Sequence, residues 1–242
     1  MSISLIRKVA AELSEIRYEN RISLNLYNEP LLDKNLENKI EVLRQFLPWA
    51  TLTLNSNGDK LRKHRLKALS NAGLNLICVT LHPPPFKTDT PAMLNRRIKK
   101  LIERNSEDRD LNFDLDDGFI ILSTEGLKLK IQWPNWRVIG TDRAGTVDNY
   151  NEGRSQRVLP CVKPFREFTI FYDGDVQPCC ESFHDDEKQL VKIANLQQTT
   201  IFDAYTSHNL SHFRRSVFGF GKKMAYANFV HLLTTAVKKT QL

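Results

Sequence analysis

The sequence predicts an α/β fold in which a parallel β/α unit is followed by a small cysteine-bearing unit. Over the first hundred residues, helical and strand patterns alternate with short connections, as they do in β/α units built around a parallel sheet. The strand candidates are apolar on both faces, which suits strands covered by helices on each side. Of the four cysteines, Cys161, Cys179 and Cys180 fall close together late in the chain, while Cys78 stands alone.

The elements follow in order. An amphipathic helix is expected over 3–18, in a stretch (MSISLIRKVAAELSEI) that lacks the apolar core and small-residue cleavage site of a signal peptide. Strand 21–27 (RISLNLY), helix 35–46, strand 50–55 (ATLTLN), helix 60–72, strand 75–81 (NLICVTL) and helix 91–104 come next, with Gly73 as an ordinary helix stop. Beyond the acidic, polar stretch NSEDRDLNFDLDD, strands are expected at 118–123, 127–132 and 137–141, then a polar linker at 144–157. A hairpin follows in FTIFYDGDVQPCC, where Asp173-Gly174 signals the turn.

A chain of 242 residues with 41% hydrophobic content can bury a core. No run approaches the roughly eighteen apolar residues of a spanning helix, so no membrane span is expected and the compartment is read as cytoplasmic. There, cysteines serve as buried thiols or metal ligands rather than disulfides, and Cys78 reads as a small core residue. The net charge of +7 could favour an anionic partner, but the basic residues are dispersed and lack aromatic interleaving, which disfavours nucleic acid. The densest group, Arg96, Arg97, Lys99, Lys100 and Arg104, shares a helix with an apolar stripe of Leu94, Ile98, Leu101 and Ile102 and reads as a solvated face.

Ligands of parallel α/β folds sit at the carboxyl ends of the strands. Polar residues stand at three such positions: Asn28-Glu29-Pro30, Ser56-Asn57-Gly58, and Thr80 with His82. A carboxylate, a hydroxyl–amide pair and a further hydroxyl on one rim could hold a ligand carrying both an ammonium and a carboxylate. Ordinary helix capping explains the same residue types.

The order of these motifs resembles the radical S-adenosylmethionine (SAM) family. There one strand ends in a Gly-Glu-Pro type motif, here LNLYNEPLLD with Asn28 in place of glycine; the next ends in Thr-Asn-Gly, here LNSNGDKL; and the next carries a hydroxyl residue, here ICVTLH. The resemblance implies that Glu29 binds the methionine amino group of SAM, with Ser56, Asn57 and Thr80 near its carboxylate or ribose. The later stretch PCVKPFREFTIFYDGDVQPCC resembles the SPASM/twitch region of the same family, with Cys161, Gly174 and Cys179 in the expected arrangement. That implies an auxiliary 4Fe-4S cluster on Cys161, Cys179 and, less well placed, Cys180, which is expected to point away from its neighbour Cys179.

On this resemblance the fold is a partial parallel (β/α) barrel of the radical SAM type lacking its first strand, over 1–145. A SPASM/twitch-like domain spans 146–223 and an aberrant tail 224–242. The family's activating motif C-x-x-x-C-x-x-C does not occur in the 242 residues. The expectation is therefore an N-terminally truncated chain with no catalytic residues and no SAM cleavage of its own. Past Lys223 the family pattern should continue into C-x-x-C-x5-C, whereas here the tail has no cysteine. A shifted reading frame permits cysteine codons across 226/227, 229/230 and 235/236, so a frameshifted tail is expected. The family modifies peptides, proteins, sugars and small molecules, and the substrate stays open. The alternative function is a cluster-free binding or partner module on the same scaffold.

Overall fold

The computed structural model describes residues 1–83, 89–106, 112–134, 158–180 and 192–221. The chain forms two units: Ile6–Gly140, and Thr141–Leu242 together with Met1–Leu5. The expected strand at 137–141, the linker at 144–157 and the tail 224–242 lie outside the described residues.

The first unit follows the expected alternation closely. Helix α1 (Ile3–Glu15), which begins within the other unit, leads to β1 (Arg21–Ser23), α2 (Leu36–Phe46), β2 (Thr51–Ser56), α3 (Lys63–Asn71), β3 (Leu76–Thr80) and α4 (Pro91–Asn105). Strands β4 (Phe119–Thr124) and β5 (Leu127–Gln132) close the unit. They join one five-stranded sheet in the order β1-β2-β3-β5-β4. Strands β1, β2, β3 and β5 run parallel, and β4 is antiparallel to β5. The tight link between β4 and β5 is Glu125-Gly126, with φ of 49° and 80°. Two consecutive left-handed residues match the twist of a two-residue hairpin, which is why this edge turns back instead of crossing over.

Two expectations change here. Strand β1 stops at Ser23 rather than residue 27, because side chains take over its hydrogen bonding. The Asn25 carboxamide oxygen accepts the Asn55 N–H at 2.7 Å, and the Asn28 oxygen accepts the Leu26 N–H at 3.1 Å. Such local side-chain bonds compete with a ladder and end it.

The strands are also not apolar on both faces. Leu52, Leu54, Ile77, Val79, Leu129 and Ile131, which alternation and register put on one face, are fully buried. Leu36, Ile40, Leu43, Leu66, Leu69, Ile98, Leu101 and Ile102 of the helices are buried too, and together these side chains form the core. The opposite face carries Thr53, Asn55, Cys78, Thr80, Lys128, Lys130 and Gln132. Only the first face is buried under helices; the second, which also carries Leu76, Phe119 and Ile121, is more polar and partly exposed.

The basic cluster on α4 is likewise more than a solvated face. Arg97 pairs with Asp89 and donates to the His82 carbonyl, and Arg104 donates to the Gly58 carbonyl at 2.7 Å. Arg44 of α2 is another anchor, donating to the carbonyls of Leu47, Pro48, Ala50 and Gly73 and to the Asn75 side chain.

In the second unit, α5 (Lys163–Arg166) precedes a three-stranded antiparallel sheet of β6 (Thr169–Ile170), β7 (Asp175–Gln177) and β8 (Ala194–Asn195). The Asp173-Gly174 turn forms as expected. Gly174 has φ of +93° and its N–H donates to the Phe171 carbonyl, while the Asp173 carboxylate accepts the Asp175 N–H. Helices α6 (Ile201–Thr206) and α7 (His208–Phe218) follow, capped by Thr200 and Ser207. Arg214 ties α7 back, donating to the Pro164 and Tyr205 carbonyls with its guanidinium 4.0 Å from the Tyr205 ring centroid.

Candidate functional site

Glu29 ends the connection after β1, where Pro30 begins a 3-10 turn over Pro30–Leu32. Proline has no N–H to contribute to that turn, so its first free donor is the Leu31 N–H, which the Glu29 Oε1 accepts at 3.1 Å. Capping is therefore real, but it uses only part of the carboxylate. The Ser56 hydroxyl donates to the same Oε1 at 2.8 Å, and the Asn57 backbone N–H donates to Oε2 at 2.8 Å. Two distant segments of the chain thus converge on one carboxylate at the carboxyl end of β2.

The chain immediately after β2 is shaped for this. Ser56 is buried, and its Oγ also accepts the Gly58 N–H at 2.9 Å, while the Asn57 Oδ1 accepts the Asp59 N–H at 2.9 Å. Gly58 has φ of +78°, and a Cβ there would lie 2.7 Å from the Val79 side chain. Only glycine lets the chain turn this close to β3 and so aim the Asn57 N–H at Glu29. Thr80, at the end of β3, accepts a hydrogen bond from the Gln132 carboxamide at 2.9 Å. Ser56 pairs in register with Val79, so Thr80 follows one residue beyond it on the neighbouring strand.

Glu29, Ser56 and Asn57 are thus brought together, while Thr80 ends the neighbouring strand on the face opposite Ser56. Gln132 was missed in the sequence. A glutamine ending an alternating LKLKIQ run is a signal for a rim position only once β5 is known to lie next to β3. Cys78 sits beside Lys130 on the polar face. Burial pushes its thiol pKa up, against the pull of the Lys130 charge and a hydrogen bond with Thr80, so it stays a neutral thiol.

The second unit holds the remaining cysteines. The Cys161 N–H donates to the Val217 carbonyl at 2.8 Å, fixing that residue against the end of α7. Cys179 and Cys180 follow β7, and Cys180 does not point away from its neighbour. The two thiols hydrogen-bond to each other. That bond, together with burial and a hydrogen bond to Glu167, pushes the Cys180 thiol pKa up, against the pull of the Lys163 ammonium 3.8 Å from the sulfur. A cluster ligand must be a thiolate. Among the described residues no group of three or more His, Cys, Asp or Glu side chains is arranged to hold a metal. The described cysteines by themselves number fewer than the four thiolates that such a cluster takes in this arrangement, Cys161, Cys179 and Cys180 being the three in the second unit.

A parallel-sheet unit with a carboxylate rim, joined to a small antiparallel unit bearing paired cysteines, defines a class. Residues 161–227 match the family model of SPASM, described as an iron–sulfur cluster-binding domain. That match falls on the stretch whose cysteines and Asp173-Gly174 turn resemble the SPASM/twitch region. It is similar to the S-adenosyl-L-methionine-dependent 2-deoxy-scyllo-inosamine dehydrogenase of Niallia circulans, being 24% identical over 216 residues that cover 89% of this chain and 74% of that protein. Its fold is similar to that of BtrN in complex with AdoMet and 2-DOIA, with a TM-score of 0.65 at 22% identity over 90% of this chain and 74% of that one. The fold also resembles that of BtrN in an open conformation, with a TM-score of 0.59 at 20% identity over 94% of this chain and 79% of that one.

Proposed function

We propose that the first unit binds SAM at the rim formed by Glu29, Ser56, Asn57 and Thr80, and that the chain is of the radical SAM/SPASM type acting on a small molecule. The observation that carries this is the convergence on Glu29. Its carboxylate is oriented by Ser56 and the Asn57 N–H but not consumed by them, since a carboxylate offers about four acceptor sites. Oriented in this way, Glu29 can accept the ammonium of a bound amino acid moiety. The Thr80 hydroxyl, held by Gln132, supplies a second polar group at the same end of the sheet. The similarity to a SAM-dependent dehydrogenase over most of the chain supports the same reading.

SAM bound beside a reducing iron–sulfur cluster supplies one-electron chemistry. The three thiolates that hold such a cluster in the C-x-x-x-C-x-x-C pattern are not among these 242 residues. Residues 1–242 by themselves therefore bind SAM without cleaving it. What these residues do is orient SAM: Glu29 takes its ammonium, and Ser56 and the Asn57 N–H keep that carboxylate turned to the rim.

The test is equilibrium binding of SAM by calorimetry. Glu29→Gln retains the capping acceptor but loses the charge, and is expected to weaken SAM binding at least ten-fold with little change in fold. Unchanged affinity would remove Glu29 from the site.

A second reading, a cluster-free binding module, is favoured by one observation. Among the described residues no group of three or more His, Cys, Asp or Glu side chains is arranged to hold a metal. Iron and sulfide content after anaerobic reconstitution separates the two: about four irons per chain supports the cluster, and none supports the module.

A further inference from the structure

We propose that the polar face of the five-stranded sheet is a binding surface for an anionic sugar or cyclitol, with Lys130 as its charge-recognising residue. This rests on the reading of the first unit as a small-molecule site, and it names the substrate class. Alternation and register put Arg21, Lys128 and Lys130 on that face. No strand residue of the face is an Asp or Glu, so the charged strand side chains there are all cationic, with the Glu29 carboxylate beyond the strand ends.

Lys130 is the cation best placed to act. It lies one residue pair below Thr80 and Gln132, the pair at the rim, and its ammonium sits 4.4 Å from the centroid of the Phe119 ring. Phe119 is 46% exposed, so the ring holds the ammonium in place from one side. Beside it, Thr80 accepts from Gln132 and is also engaged with Cys78, which leaves the Gln132 oxygen and its second N–H for ligand hydroxyls. A fixed cation next to neutral donors and acceptors suits a polyhydroxylated ring bearing a phosphate or carboxylate.

The same arrangement disfavours an ammonium. The dehydrogenase to which the chain is similar is named for 2-deoxy-scyllo-inosamine, an amine that is cationic near neutral pH. A like charge facing a partly desolvated lysine is repelled, and that builds selectivity against the amine. The chain therefore takes a substrate of opposite charge from that relative's.

The experiment is a calorimetric or saturation-transfer titration of the 242-residue protein with four probes: glucose 6-phosphate, glucuronate, glucose and glucosamine. SAM is titrated on the same samples. The expected order has the two anions at least ten-fold tighter than glucose, and glucosamine weakest; the two anionic probes decide between phosphate and carboxylate. Lys130→Gln should lose about ten-fold or more of the anion affinity, the scale of one charged hydrogen bond. Lys130→Arg should retain most of it, and both variants should bind SAM as the parent does. Urea midpoints confirm that the variants fold, and Lys130→Met, with the same expected loss, carries the test if the glutamine variant does not. Glucosamine binding as tightly as the anions, or anion binding indifferent to Lys130→Gln, overturns the proposal. So does a loss of SAM affinity in Lys130→Gln, which would assign the lysine to SAM instead. Failure of SAM to bind the parent while the anions still do would overturn the SAM site and leave this surface standing.

Discussion

Gly58→Ala isolates the one backbone position on which the rim depends. The residue has φ of +78°, and an added Cβ would sit 2.7 Å from the Val79 Cγ1 and 3.6 Å from the Leu101 side chain. A non-glycine residue in the left-handed region costs about 1–2 kcal/mol. Forcing the fully buried Val79 to move adds about 1–3 kcal/mol of overpacking. The expected loss is therefore about 3 kcal/mol. Gly118→Ala is the internal control, because Gly118 has φ of +73° and nothing within 4 Å of its Cβ position. It should lose only the backbone share, about 1 kcal/mol. At a urea dependence of about 1.5 kcal/mol per molar, the two midpoints should differ by more than about 1 M. Gly58→Ala should also weaken SAM binding, because turning the chain away from β3 moves the Asn57 N–H off Glu29. Equal midpoints for the two variants would show that the contact with Val79 is not what glycine serves. A destabilised Gly58→Ala variant with unchanged SAM affinity would separate the turn from the site.

Ser56→Ala removes a buried hydroxyl that both donates to Glu29 and accepts from Gly58, and should cost about 1–3 kcal/mol in a denaturant titration. Arg44→Ala frees the carbonyls of Leu47, Pro48, Ala50 and Gly73 at once and should cost about 3 kcal/mol by the same measurement, far more than a surface arginine. Burial tends to raise the Asp33 pKa, but hydrogen bonds from Lys39 and the Asn35 N–H outweigh it and hold the carboxyl below its ordinary value. The stability this contributes is complete above the ordinary carboxylate range and is lost as pH falls through the lowered pKa, so Asp33→Asn should flatten the acid limb of a stability–pH profile. Residues 1–242 with SAM and a strong reductant should release no 5′-deoxyadenosine above background, measured by chromatography; sustained release would show that a cluster is supplied in some other way.

Much of the first unit was legible because its signals are local. Helices α2, α3 and α4 and strands β2 and β3 begin and end within a few residues of where periodicity, Gly73 and the prolines put them. Glu29, Ser56 and Asn57 meet in space because the segments that follow parallel strands emerge at one edge, so position in the element order stands in for position in space. Where that correspondence failed, a side chain or a turn overrode the pattern. Asn25 took the ladder bond that would have continued β1, and Glu125-Gly126 turned the sheet's edge back on itself.

By itself the sequence determined the order of elements in the first unit, the Asp173-Gly174 turn and the SPASM match of residues 161–227, because each is written in residues close together along the chain. Which face of each strand meets the helices was decided only by the tertiary structure. Apolar runs such as LNLICVT do not distinguish the two sides. The parallel register does, placing Leu54 with Ile77 and Leu129 on the buried side and Asn55 with Cys78 and Lys130 on the other. The pairing of Lys130 with Phe119, and of Gln132 with Thr80, likewise joins residues on different strands, and only their hydrogen-bonded register brings them side by side.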